Sequence, residues 1–210
     1  MKKFITYIAQ QPKESLIKGK YSTSDDIFKC DFETSFPVMI MINSFVEENE
    51  EVEILAIIEK DNEKCKSNLE VMKSEIEELK KLKKFEYNIT EITISGDETY
   101  KEHLYTFEKL LGAIKEKDEL YVCATYGTKP FPIIEMMAVN AATKIKRGVN
   151  IGCISYGRIV RGNVGDTKEM IIYDITPLFL MNRLVDNIAE LSPDSAEDDI
   201  KRLLEEEGND

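Results

Sequence analysis

Histidine and arginine are scarce in the first two thirds of this 210-residue chain. His103 is the only histidine, and Arg147 is the first arginine. The sequence therefore shows no evident Ser-His-Asp arrangement and no Cys/His metal cluster, so we expect neither a metal nor another cofactor. The lack of an arginine before His103 also excludes the Arg-x(4–6)-His signature of one common ribonuclease class. His103 lies in an amphipathic helical stretch, which favours a structural role over a catalytic one.

Long apolar runs are also missing. No stretch approaches the roughly 18 apolar residues of a membrane span, and the basic MKK start lacks the apolar run of a signal peptide. We therefore expect a cytoplasmic protein with no membrane segment in this chain. The four cysteines are widely spaced and show no zinc-binding pattern, which indicates buried, reduced thiols.

The formal net charge of −12 at pH 7 argues against DNA binding and general RNA binding, because such proteins usually present a basic surface. The charge is uneven, since residues 186–210 hold ten acidic and two basic residues. We expect residues 1–191 to form one ligand-binding domain and residues 192–210 an acidic helical tail or linker. Such a tail is a candidate contact for an effector domain or a partner protein.

Strand and helix patterns alternate along most of the chain. Apolar or alternating runs predict strands over residues 3–9, 52–58, 87–94, 120–124, 149–156 and 170–175. Amphipathic or apolar periodicity predicts helices over residues 36–48, 62–84, 100–116, 131–147 and 177–191. This alternation predicts an α/β fold, a Rossmann-like and mostly parallel sheet with helices on both faces, followed by a short C-terminal helical tail.

Residues 120–161 form a basic segment within an acidic chain, with six basic residues and one acidic residue. An apolar strand in this segment ends in the sequence ATYGTKP, residues 124–130. Gly127 allows close backbone approach, Thr128 offers a hydroxyl, and Lys129 places an ammonium near a helix N-terminus. Together these features predict a site for a phosphate; the alternative is an ordinary helix cap. The spacing matches neither a GxxxxGK[ST] loop nor a GxGxxG fingerprint.

A second polar segment, SYGR at residues 155–158, follows the next strand. If it turns at the same edge of the sheet, Arg158 would contact a phosphate or stack on a base. The alternative is that the chain near Val160 pairs as an antiparallel strand with the chain near Ile171, across the glycines between them. The residues alone favour neither interpretation.

The helix over residues 131–147 is apolar around most of its circumference, which predicts burial on two sides. It is either a core helix or a helix with one side against a second subunit. Small residues at Ala138, Ala141 and Ala142 would permit the close approach that such an interface needs.

The segments TYGTKP, GVNIGCISYG and IIYDITPLF, in that order between Leu120 and about Asn187, resemble CARF domains, the CRISPR-associated Rossmann-fold sensors. The first segment is similar to the (D/A)-T-x-G-x-(K/R)-x-x-P turn of one branch of that family. The resemblance implies a homodimer that binds one cyclic oligoadenylate, most often cyclic tetra-adenylate, across its two-fold axis in CRISPR antiviral signalling. A cyclic ligand with two-fold symmetry suits an isologous interface.

The resemblance also implies roles for residues in three segments. Backbone and hydroxyl groups of Gly127 and Thr128 would bind phosphates that Lys129 neutralises, and a tyrosine from either polar segment would stack an adenine. The two glutamines after the first strand would bind the ribose or the adenine edge. The candidate ligand-binding residues are Gln10, Gln11, Thr125, Tyr126, Gly127, Thr128, Lys129, Tyr156, Gly157 and Arg158.

Three functions stay open at this stage. The favoured one is a receptor that acts as the sensor part of an effector or through a partner. The alternative is a metal-independent ring nuclease, in which a ribose 2′-hydroxyl attacks the neighbouring phosphate to give a 2′,3′-cyclic phosphate. In this case Lys129 would stabilise charge and Thr128 or Gln10 would position the ring. Neither polar segment holds a strong general base, which predicts slow cleavage. The third is an unrelated monomeric mononucleotide-binding protein.

Overall fold

The alternating strand and helix patterns fold into a six-stranded sheet with helices on both faces. The computed structural model describes residues 1–160 and 169–207. The strands are β1 (Lys2–Tyr7), β2 (Gly19–Lys20), β3 (Glu33–Thr34), β4 (Glu51–Glu59), β5 (Glu86–Ile94), β6 (Glu119–Cys123), β7 (Asn150–Val160) and β8 (Glu169–Asp174). The α-helices are α1 (Pro37–Phe45), α2 (Glu63–Lys83), α3 (Tyr100–Ala113), α4 (Phe131–Ile145), α5 (Thr176–Leu191) and α6 (Ala196–Glu207).

The strand order of the main sheet is β5-β4-β1-β6-β7-β8. All neighbouring strands pair in parallel except β7 and β8, which are antiparallel. Counting only the strands of this sheet along the chain, the order is 3-2-1-4-5-6, the doubly wound arrangement of Rossmann-like folds. The predicted fold class is therefore confirmed. The chain direction across the sheet reverses between β1 and β6, and ligands of such folds bind at the carboxyl ends of the strands beside that point.

Helices cover the two faces of the sheet in pairs. Alternate residues of β1 point to opposite faces, so Phe4 packs in a buried cluster with Met39 of α1 and Met72 of α2. On the other face, the ring of Tyr7 packs edge-on against Phe131 of α4, with 4.5 Å between ring centroids. The helix α1 begins at Pro37, a residue that suits a first helical turn, and its first six residues are buried.

The predicted secondary-structure elements of the sheet are confirmed with small shifts at their ends, except at β7. The strand expected to end near Tyr156 continues to Val160, and its last six residues pair antiparallel with β8. Of the two alternatives that the sequence left open at residues 155–158, the antiparallel pairing is therefore confirmed and the turn is wrong. All four cysteines are free thiols; Cys30 is half-buried and the other three are buried.

The chain divides into two compact units, Met1–Asp174 and Ile175–Asp210. The second unit contains α5, which the sequence pattern assigned to the ligand-binding domain, together with α6. No residue of α5 is buried. An apolar groove of about 550 Å³ lies between the two helices, lined chiefly by leucine, methionine and isoleucine. Within residues 1–160 and 169–207, no helix has the length and apolar character needed to cross a bilayer.

Candidate functional site

The turn after β6 lies beside the point where the direction of the sheet reverses. Gly127 has φ of +110°, a conformation that side chains with a Cβ rarely adopt. A Cβ there would also lie 3.0 Å from Phe131 and 3.1 Å from Tyr7. The backbone therefore requires glycine at this position, and the glycine brings the turn close to the end of β1.

The backbone amides of this turn are available to a ligand. Within the part of the chain that the structure describes, no group accepts a hydrogen bond from the amides of Gly127, Thr128 or Lys129. The amide of Phe131 donates to the Thr128 carbonyl at 3.0 Å, which closes the turn onto α4. Successive backbone N–H groups in a turn can bind an anion when they point to the same side.

The Lys129 ammonium adds positive charge to these amides. Its side chain is exposed, and no carboxylate of a described residue lies within the 4.0 Å of an ion pair. Thr128 is half-buried and lines the adjoining cavity. The arrangement can neutralise and hydrogen-bond a phosphate at the entrance of the cavity.

Thr125 and Tyr126 hold the turn in place. The Thr125 Oγ1 accepts a hydrogen bond of 2.8 Å from the amide of Gly157 in β7. The Tyr126 hydroxyl donates to the Ser35 carbonyl at 2.9 Å, and burial raises the pKa of this hydroxyl above its ordinary value. Because both side chains make hydrogen bonds within the protein, they contribute to a ligand site by fixing the position of the turn.

The strand β7 presents Tyr156 and Arg158 on one face and Gly157 on the other. A Cβ at Gly157 would lie 2.4 Å from the Cγ of Pro37, so this glycine allows close packing of β7 on α1. Tyr156 and Arg158 are exposed. The pairing of β6 with β7 ends at Cys123 and Ser155, so Tyr156 and Arg158 follow the last paired residue. They therefore lie at the carboxyl edge of the sheet, where the β6 turn also lies.

The two glutamines after β1 lie in different surroundings. Gln10 lines the cavity, and its Nε2 donates to the Tyr7 hydroxyl at 2.7 Å and to the Glu59 Oε2 at 2.5 Å. The Gln11 side chain instead donates to the Ser15 carbonyl at 3.2 Å. The structure therefore brings Gln10 and Thr128 to one cavity and places Gln11 outside its lining.

The buried amide of Asn68 in α2 fixes the loop after β1. Its Nδ2 donates to the carbonyls of Ala9 at 2.7 Å and Gln11 at 2.8 Å. Asn68 is fully buried. The loop has no glycine-rich fingerprint, and this side chain supplies the hydrogen bonds that keep the backbone next to the cavity.

The cavity has a volume of about 530 Å³ and lies over the carboxyl ends of β1, β4 and β5. That volume falls within the roughly 300–1,000 Å³ of small-molecule sites. It is lined by Tyr7, Gln10, Glu59, Ile94, Ser95, Gly96, Asp97, Glu98, His103, Thr106, Thr128, Phe131 and Ile134.

Several of these residues were not predicted from the sequence. Glu59 ends an apolar strand and Ser95-Gly96 closes another, so both could have been found by asking which residues follow parallel strands. His103 lines the cavity, where the sequence favoured a purely structural role. Within residues 1–160 and 169–207, no group of three histidine, cysteine or acidic side chains is placed to hold a metal ion.

The helix α4 has one buried and one exposed side. Ala138 and Ala142 are fully buried within the protomer, whereas Ile133 and Met137 are 64% and 58% exposed. The small residues therefore pack against the chain's own core and do not form an outer interface. An apolar strip one turn long, formed by Ile133 and Met137, remains on the exposed side.

Glu135, on the buried side of α4, is fully enclosed. Among the described residues, neither of its carboxylate oxygens has a hydrogen-bond partner, and burial raises its pKa well above the ordinary value. A buried carboxyl of this kind is held in its neutral form.

No protein-family model matches this chain, and no curated protein matches it in sequence.

Proposed function

We propose that this protein is a homodimeric receptor for cyclic oligoadenylate, with cyclic tetra-adenylate as the ring, in CRISPR antiviral signalling. The observation that carries the proposal is the β6 turn, where three unpaired amides and the Lys129 ammonium adjoin a cavity at the reversal point of the sheet. The resemblance of the TYGTKP segment to CARF domains supports the same ligand.

Charge favours an anionic ligand of small size over a long nucleic acid. The chain carries a formal charge of −12, so a long polyanion is repelled by most of the surface. Lys129 and Arg158 are exposed cations at the carboxyl edge of the sheet. A compact ring that binds at this edge gains their attraction and contacts less of the acidic surface than a long nucleic acid would.

A homodimer follows from the symmetry of the ligand. Two copies of the turn would contact equivalent phosphates of a two-fold ring, so each contact would count twice. The exposed strip of Ile133 and Met137 begins in the first turn of α4, next to the phosphate site, and is a suitable isologous contact. We expect Met137→Glu to give monomers by light scattering; a dimeric variant would move the interface to another surface.

The phosphate role is tested by Lys129→Ala. We expect this variant to bind cyclic tetra-adenylate more than tenfold more weakly in calorimetry, with unchanged thermal stability, because the exposed ammonium makes no contact that folding requires. Arg158→Ala should have a smaller effect. Lys81→Ala removes an equally exposed lysine from α2 and serves as the matched control. Equal affinity of the Lys129 and Lys81 variants would contradict the proposal.

One observation favours the ring nuclease as a second candidate. His103 lines the same cavity as Thr128, so an imidazole is near the site although neither polar segment contains a base. In ring opening, the 2′-oxygen bonds to phosphorus, the bond from phosphorus to the 5′-oxygen breaks, and a base takes the 2′-proton while the 5′-oxygen gains one. Loss of ring cleavage in His103→Ala, with ring affinity unchanged, would support this function over a pure receptor.

A further inference from the structure

The cavity over β1, β4 and β5 has an acidic wall, which does not suit a phosphate. We infer that it binds the nucleoside part of the ligand, with Glu59 accepting a hydrogen bond from a ribose hydroxyl. The inference rests on the proposed function for the identity of the ring, but its chemistry applies to any adenine nucleotide held at the β6 turn.

The position of Glu59 in the sheet is the first support. It is the last residue of β4, the second strand of the 3-2-1-4-5-6 order, directly next to β1. In the dinucleotide-binding members of this fold, an acidic side chain about 20 residues after the glycine-rich turn binds a ribose hydroxyl. The present chain lacks the glycine-rich turn of those folds but retains a carboxylate at the end of the second strand.

The geometry of the Glu59 carboxylate leaves one oxygen for a ligand. Its Oε2 accepts from the Gln10 Nε2 and from the Asn62 Nδ2 at 2.9 Å, which fixes the group in place. Within the described part of the chain, no donor contacts Oε1. This oxygen lies over Gly96, where a Cβ would be only 2.0 Å away. The glycine at the end of β5 therefore makes room for the carboxylate.

Electrostatics separates the two parts of the ligand. Glu59, Asp97 and Glu98 are carboxylates that line the cavity, and ionised carboxylates only accept hydrogen bonds. They repel a phosphate but suit hydroxyl and amine donors, which ribose and adenine supply. Thr128 also lines the cavity and is followed in the β6 turn by Lys129. The phosphate then contacts the turn while the nucleoside enters the cavity.

The rest of the lining combines polar residues with a few apolar ones. The buried rings of Tyr7 and Phe131 meet edge-on, and Ile134 extends the same surface. Each of these side chains is at most 8% exposed, so they offer little surface on which a base could stack, and the ribose contact carries the inference. Selection for the sugar would then come from Glu59, since its free oxygen needs a hydroxyl donor.

A double comparison of protein and ligand tests the assignment. The probes are AMP and 2′-deoxy-AMP, each titrated into the wild-type protein and into Glu59→Gln by nuclear magnetic resonance. We expect wild type to bind AMP about tenfold more tightly than 2′-deoxy-AMP, and the variant to bind both with the weaker affinity. Lys129→Ala should weaken both probes equally and preserve the tenfold ratio, since it acts on the phosphate.

The outcomes separate this inference from the proposed function. An unchanged ratio in Glu59→Gln, or no preference in wild type, would overturn the ribose assignment even where cyclic tetra-adenylate binds. A ratio that depends on Glu59 in a protein that does not bind the ring would support the ribose assignment and refute the receptor. Because Glu59→Gln also alters the contacts to Gln10 and Asn62, Gly96→Ala provides a second variant: its Cβ displaces the carboxylate, and the same loss of the ratio is expected.

Discussion

The buried carboxyl of Glu135 makes the stability of the protein depend on pH in a defined direction. In the folded state burial raises its pKa well above the ordinary value of 4.5, so the group keeps its proton. In the unfolded chain it ionises near its ordinary value. Above that pH the folded state therefore binds one more proton than the unfolded state, and the free energy of unfolding falls as pH rises, by about 1.4 kcal/mol per pH unit while the folded carboxyl stays neutral.

The assay compares urea unfolding of wild type and Glu135→Gln between pH 5 and pH 7.5. Glutamine has nearly the same shape and does not ionise, so this contribution to the pH slope disappears. As pH rises, we expect the free energy of unfolding of Glu135→Gln to increase relative to that of wild type, by up to about 1.4 kcal/mol for each pH unit. Glu108→Gln, which replaces an exposed carboxylate in α3, should remain parallel to wild type. Parallel curves for wild type and Glu135→Gln would refute the assignment of a neutral buried carboxyl.

Two further predictions concern the packing that holds the β6 turn. Gly157→Ala should destabilise the fold by about 1–3 kcal/mol in urea unfolding, because its Cβ would lie 2.4 Å from Pro37; a change of less than about 0.5 kcal/mol would show that α1 moves freely. Tyr126→Phe removes the hydrogen bond to the Ser35 carbonyl and should lower stability by about 0.5–1.5 kcal/mol, with weaker ligand binding through loss of the turn position. Unchanged stability together with lost binding would instead indicate direct contact between Tyr126 and the ligand.

The fold was predictable because its signals are local. Apolar runs mark β1, β4 and β6, and each is followed by a helix with its own periodic apolar positions. The β6 turn was also predictable, since Gly127, Thr128 and Lys129 stand together between a strand and a helix that begins with prolines. Alternation of the two element types then leads to a parallel sheet.

The rest of the site depends on contacts between distant segments. Glu59 ends a parallel strand and could have been found on that ground, but nothing in the sequence near His103 indicates that this residue of α3 lines the cavity. From the sequence alone, Gly157 fits a turn as well as an antiparallel strand. Its actual role is to admit Pro37, and isolated glycines within strands often mark such a close approach.

The same limit applies to α4. Its sequence shows that most of its circumference is apolar, but only the packed structure reveals which residues face inward. The alanines Ala138 and Ala142 lie inside, and Ile133 and Met137 lie outside. A dimer test that mutates Ala138 would therefore disturb the core, and the exposed methionine is the proper position.

The most direct test of the proposed function is to mix the purified protein with cyclic tetra-adenylate and cyclic hexa-adenylate, then examine both the complex and the nucleotide by mass spectrometry. The proposal predicts one intact cyclic tetra-adenylate ring per two chains. Linear products ending in a 2′,3′-cyclic phosphate would show that the protein is a ring nuclease and not a pure receptor. A chain that stays monomeric and binds neither ring would contradict the account.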